Sequence, residues 1–173
     1  MKESKVSIGL INPKSPENVG SVMRAAGNFR ADSIFYTGVR FSLASQHNSH
    51  FVNVSRKVGQ NIPLSGVDCL INSAPKGMKI VCIEFAENAI SLPKYQHPES
   101  AFYIFGPEDG SISQQVIDRA DAVVFVPTVG CMNLAATVNV VLYDRSAKSS
   151  QQIGNNELIR QSRDTNNSLR VAD

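Results

Sequence analysis

The sequence predicts an α/β fold, a mainly parallel sheet flanked by helices. Two observations carry this: short β-branched apolar runs recur along the 173 residues, and helix-like runs alternate with them. Strands of that kind, separated by helices, form sheets covered on both faces.

The elements follow in order. Val6 to Ile11 is apolar and stops at Asn12-Pro13. Pro16 to Phe29 reads as a helix, with Ser15 as N-cap and Pro16 in the first turn. Val19, Val22, Met23 and Ala26 then recur at helical spacing. Ser33 to Tyr36 is a second strand, closed by Gly38, and residues 65–74 have helical spacing around Val67, Leu70 and Ile71. Lys79 to Phe85, Ala101 to Phe105 and Ala122 to Val126 read as further strands. Ser113 to Arg119 reads as a short helix and Met132 to Ala147 as a long, mostly apolar one. Two long connections, 39–64 and 86–100, carry little periodicity. This gives one domain over residues 1–148 and a polar tail over 149–173, rich in Ser, Gln, Asn and Arg and expected to be mobile.

Composition narrows the function classes. Hydrophobic residues make up 42% and charged residues 18%, which is ordinary for a globular protein. No apolar run reaches the roughly 18 residues of a membrane span, and no signal peptide is visible, so a cytoplasmic location is expected. The net charge of +2 does not by itself argue for nucleic acid. Cys69, Cys82 and Cys131 have no C-x-x-C spacing, and His47, His50 and His97 form no ligand pair, so no metal site is expected. No dinucleotide fingerprint or P-loop occurs.

Ligands of parallel sheets bind beyond the carboxyl ends of the strands. Three stretches lie there: Asn12 to Asn18, Gly106 to Gly110 and Pro127 to Cys131. Each alone has an ordinary explanation. Asn18 and Arg24 point to different sides of an ideal helix. "GPEDG" reads as an acidic strand-to-helix join.

Their order is more specific. N-x-G-x-x-x-R follows the first strand, "FGPEDG" a later one, and "VP…MNLAATVNVVLYD" closes the domain. This pattern resembles the SpoU/TrmH branch of the SPOUT superfamily of RNA methyltransferases, over about residues 5–147. The resemblance implies a sheet with a C-terminal deep trefoil knot, a homodimer, and transfer of a methyl group from S-adenosylmethionine, leaving S-adenosylhomocysteine. The acceptor it implies is a ribose 2′-hydroxyl of RNA, tRNA ahead of rRNA.

Carried over by position, Asn18, Arg24, Glu108 and Asn133 become the catalytic set. Ile83, Glu84, Gly106, Val126, Pro127, Cys131 and Met132 become cofactor-binding residues. Cys131 stands where the family usually has serine, so a side-chain hydroxyl role is lost there. Glu108 is implied to orient Asn18 rather than act as base, and Asp109 is expected on the solvated surface. An arginine guanidinium keeps its protons, so Arg24 is implied to activate the hydroxyl without acting as a simple base. Arg24, Arg56 and Lys57 are the expected RNA contacts, with Arg30 and Arg145 as further phosphate candidates. Two other readings compete: a non-catalytic RNA-binding or nucleotide-sensing module, and an enzyme using Cys131 as nucleophile, which needs a partnering base.

Overall fold

The structure, a computed structural model, describes residues 4–46, 61–149 and 154–172. In chain order the elements are β1 (Val6–Leu10), α1 (Pro16–Asn28), β2 (Ser33–Tyr36), α2 (Arg40–Gln46), β3 (Leu64–Gly66) and β4 (Lys79–Ile83). There follow β5 (Ile90–Ser91), a 3₁₀ turn (Leu92–Lys94), β6 (Ala101–Phe105), α3 (Gln114–Ile117), β7 (Ala122–Phe125), α4 (Leu134–Lys148) and α5 (Asn156–Ser162).

The strands form one seven-stranded sheet in the order β3-β2-β1-β6-β4-β7-β5. Every pairing is parallel. Period-two alternation sends Tyr103 and Phe105 of β6 to one face and Phe102 and Ile104 to the other. On the first face Val19 and Val22 of α1 and Val138 and Val141 of α4 pack against Ile8, Leu10 and Val81. On the second, Leu70, Ile71 and Ile112 cover Cys82, Phe102 and Ile104. Both faces of the central strands are therefore dry, and their uninterrupted apolar runs follow from that.

Local signals set the helix starts. Ser15 caps α1, its Oγ accepting the Asn18 N–H at 3.2 Å, with Pro16 at the first position. Asn133 caps α4, its Oδ1 accepting the N–H groups of Ala135 and Ala136 at 2.9 and 3.2 Å. Two readings of the sequence need correction. Residues 65–74 are not a helix: β3 ends at Gly66, and a single helical turn follows, closed by Ser73 N–H to Cys69 O at 3.0 Å. Their helical spacing buries Leu70 and Ile71 on the second face without propagating. The long connections are not featureless either, since α2 lies in one and β5 in the other. The C-terminal segment carries α5, capped by the Asn155 side chain.

Candidate active site

The carboxyl ends of β6, β4 and β7 lie side by side, and the segments leaving them form a cleft of about 140 Å³, open to solvent. Its floor is apolar, from Ile83, Phe105 and Leu134, and its walls include Gly106, Pro107, Cys131 and Met132. Two carboxylates, Glu84 and Glu108, line it, and no lysine or arginine does.

Each acid organises a loop. Glu84 Oε2 accepts the Ile112 N–H at 2.8 Å, and Oε1 accepts that of Phe85 at 2.9 Å. This folds residues 106–112 back over the end of β4. A Cβ on Gly106 would sit 3.3 Å from Glu84 Oε2 and from Ile112 Cγ1, so only glycine leaves this wall undisturbed. Glu108 reaches the other way, accepting the N–H of Lys14 at 2.9 Å, the N–H of Ser15 at 3.1 Å and Asn18 Nδ2 at 3.2 Å. Partial burial pulls its pKa upward, but the N–H groups of Ser15 and Lys14 and the Asn18 amide outweigh this and hold it below the ordinary carboxylate value.

The chain of contacts continues. Asn18 Oδ1 accepts Asn133 Nδ2 at 2.9 Å, and Asn133 in turn caps α4. Residues from three distant stretches thus meet as Glu108–Asn18–Asn133. With both ends fixed by N–H donors, each amide has only one orientation that serves.

Other expected site residues fall elsewhere. Val126 and Pro127 do not line the cleft; they begin the 126–131 loop, held by Thr128 N–H to Val126 O at 2.9 Å and Thr128 Oγ1 to Gly130 O at 2.7 Å. Arg24 is exposed on α1, does not line the cleft, and makes no hydrogen bond or ion pair with the described residues. Arg56 and Lys57 lie outside the described residues. Arg30 is exposed. Arg145 is corrected: its guanidinium is spent internally on the carbonyls of Pro98 and Glu99, Tyr103 Oη and Ser4 Oγ, so it is not a free phosphate contact. Asp109 is also corrected. It is half exposed but not merely solvated, since Arg40 Nη1 donates to its two oxygens at 2.9 and 2.8 Å.

Cys131 lines the cleft and is exposed, yet the one histidine among the described residues, His97, is engaged by Tyr103 and Asp144. That leaves the nucleophile reading without a described base. Among the described residues no cluster has the groups to hold a metal ion, and no helix is long and apolar enough to cross a membrane. Phe85, Phe105, Leu134 and Thr137 also line the cleft and were not anticipated. Their common signal was position, at or just after the end of a strand or in the first turns of α4.

The fold is an α/β fold of the type seen in solved RNA methyltransferases. The AdoMet-bound rRNA methyltransferase from Sinorhizobium meliloti matches with TM-score 0.72 and 18% identity, over 86% of this chain and 59% of that one. The A. aeolicus TrmH/SpoU tRNA modifying enzyme matches with TM-score 0.71 and 13% identity, over 84% and 75%. A structure concerning the 2-OH methylation of C/U34 on tRNA gives TM-score 0.68 and 20% identity, over 86% and 92%. More specifically, the model of the SpoU rRNA Methylase family matches residues 5–143, and the chain belongs to that family. Among curated proteins, the tRNA (cytidine-2'-O-)-methyltransferase TrmJ of Methanocaldococcus jannaschii is 25% identical over 154 residues, 80% of this chain and 66% of that relative's length.

Proposed function

We propose that this chain transfers a methyl group from S-adenosylmethionine to a ribose 2′-hydroxyl of RNA, with tRNA as the substrate class. The observation that carries the reading is the Glu108–Asn18–Asn133 chain standing beside a cleft with two carboxylates and no cationic side chain. Such a lining suits a cationic sulfonium and disfavours an anionic cofactor. The apolar floor and the close-packed Gly106 suit a flat base or ribose approached by backbone. When bound, the cofactor supplies an electrophilic methyl group. Ile83, Glu84, Gly106, Cys131 and Met132 would hold it, while Glu108 and Asn133 fix Asn18. Preference for tRNA is supported by the name of the curated relative.

Arg24 holds a substrate phosphate and stabilises the alkoxide as it develops, in this reading. Because Arg24 stands outside the cleft lining, the reading places two copies of the chain in a homodimer, so that RNA meets a site built from both. The knotted C-terminal region is part of the same proposal. Its support is the path of the chain: β7 lies beyond β4, yet Asn133 returns across the ends of β4 and β6 to reach Asn18 next to β1.

The test is to incubate the protein with labelled S-adenosylmethionine and total RNA from a deletion strain and map the labelled nucleotide. Label on a tRNA ribose is the expected result. RNA binding that ignores the cofactor and leaves no label would overturn the reading in favour of a binding module. Arg24→Lys should lower turnover on the order of 100-fold with cofactor affinity retained, because lysine lacks the planar fork. Normal turnover by that variant would remove Arg24 from the mechanism.

A further inference from the structure

Asp109 and Glu108 are neighbours in sequence, but their carboxylates hold different groups. Glu108 takes the N–H groups of Lys14 and Ser15. Asp109 takes Arg40, the first residue of α2, whose Nε and Nη2 both donate to the Asn12 carbonyl at 3.1 and 2.5 Å. Asn12 is the turn between β1 and the motif that carries Asn18. It has φ 42°, a conformation that most side-chain-bearing residues avoid. Its N–H donates to Thr37 Oγ1 at 3.2 Å. Its side chain lies against Gly38, itself at φ 78°, where a Cβ would overlap the Asn12 amide. The turn is therefore held on three sides by residues that follow β2, and one of these, Arg40, is fixed from outside by Asp109.

We infer that Arg40 and Asp109 form a positioning brace for the proposed reaction, setting the Asn12 turn and through it the place of Asn18. The inference rests on the reading above only for its effect on turnover. The brace spans the carboxyl ends of three adjacent strands, β2, β1 and β6. Arg40 touches no cleft-lining residue in the described contacts, so it acts through the loop and not on a substrate. Lys14 Nζ, 3.8 Å from Asp109, is too far to replace it as a hydrogen-bond donor.

Two measurements on the full chain test this. Amide hydrogen exchange at Asn12, Lys14 and Ser15 reads the brace directly. In Arg40→Ala it should rise roughly three- to tenfold, with the amides of β1 and β6 unchanged. Steady-state kinetics on tRNA reads the consequence. Arg40→Ala and Asp109→Ala should each lower kcat on the order of tenfold with KM for tRNA within about twofold. The double variant should be no slower than Arg40→Ala, and Arg40→Lys should recover part of the loss. Unchanged exchange at the three amides overturns the brace, as do losses that multiply in the double variant, or a loss confined to KM. Asp109→Asn, a change on a half-exposed loop, answers the same questions if Arg40→Ala does not fold. Wild-type protein that transfers no methyl group would sink the reaction instead, and the exchange data would still decide the brace.

Discussion

Helix α4 is pinned at both ends by polar side chains, and the two pins are built differently. At its C-terminal end the network closes on itself. Asp144 accepts Lys148 Nζ at 2.7 Å and His97 Nε2 at 2.8 Å. A carboxylate can only accept, so His97 carries its proton on Nε2, and Nδ1 takes the Tyr103 hydroxyl at 2.6 Å. Lys148 gives its other donors to the carbonyls of Leu92 and Tyr95. Burial lowers the His97 pKa against the pull of Asp144 and raises that of Tyr103 to about 12. At the N-terminal end, Asn133 and Asn18 are tied to each other and to Glu108, but Asn133 is exposed and the chain stands beside an open cleft. A closed network can only hold; an open one can hold and still meet a ligand.

Substitution should separate the two. The largest loss of stability is expected from Asp144→Ala, which strips Lys148 and His97 of a shared partner. About 2 kcal/mol, or a Tm lower by roughly 4–8 °C, is expected in thermal melts, with cofactor affinity by calorimetry unchanged. A change in affinity of tenfold or more would break the distinction between the ends. Asn133→Ala should cost about 1 kcal/mol of stability as a lost cap, and lower methyl transfer on the order of tenfold. A stability loss without any kinetic effect would make the open end merely structural too.

The smallest effect is a pH dependence at Glu108. Its folded pKa lies below the ordinary 4.5, so its contribution is present above that value and fades as pH falls through the folded one. Glu108→Gln should therefore be less stable than wild type near neutrality, by under about 1 kcal/mol given its exposure, and the two should converge in acid. Denaturant midpoints across pH 3–7 would show it. A gap that widened in acid would mean the carboxylate is held neutral instead.

Most strands were legible because burial on both faces leaves an uninterrupted apolar run, as at Val6–Leu10 and Ala101–Phe105. Helix α1 was legible from Ser15 and Pro16. Helix α2 was not, because Phe41 is its only buried residue and no periodicity can show. Nor was β5, whose Ile90 and Ser91 owe their conformation to pairing with Val124 and Phe125 of β7. In the site, Asn18, Glu108 and Asn133 were singled out through the family resemblance that the order of their stretches carries, whereas the bonds joining them depend on tertiary geometry. Asp109 lies on the surface as expected, but its partner was missed for the same reason: Arg40 is 69 residues away, in a segment with no pattern to announce it.

The outermost strands carry one more consequence. Among the described residues the sheet ends in β3, three residues long, on one side and β5, two residues long, on the other. Neither margin offers a neighbouring molecule more than a rung or two of backbone ladder, and short margins of this kind guard against runaway edge-to-edge stacking. Among the described residues, that leaves side chains on the helices and loops as the surfaces where single substitutions can tune self-association.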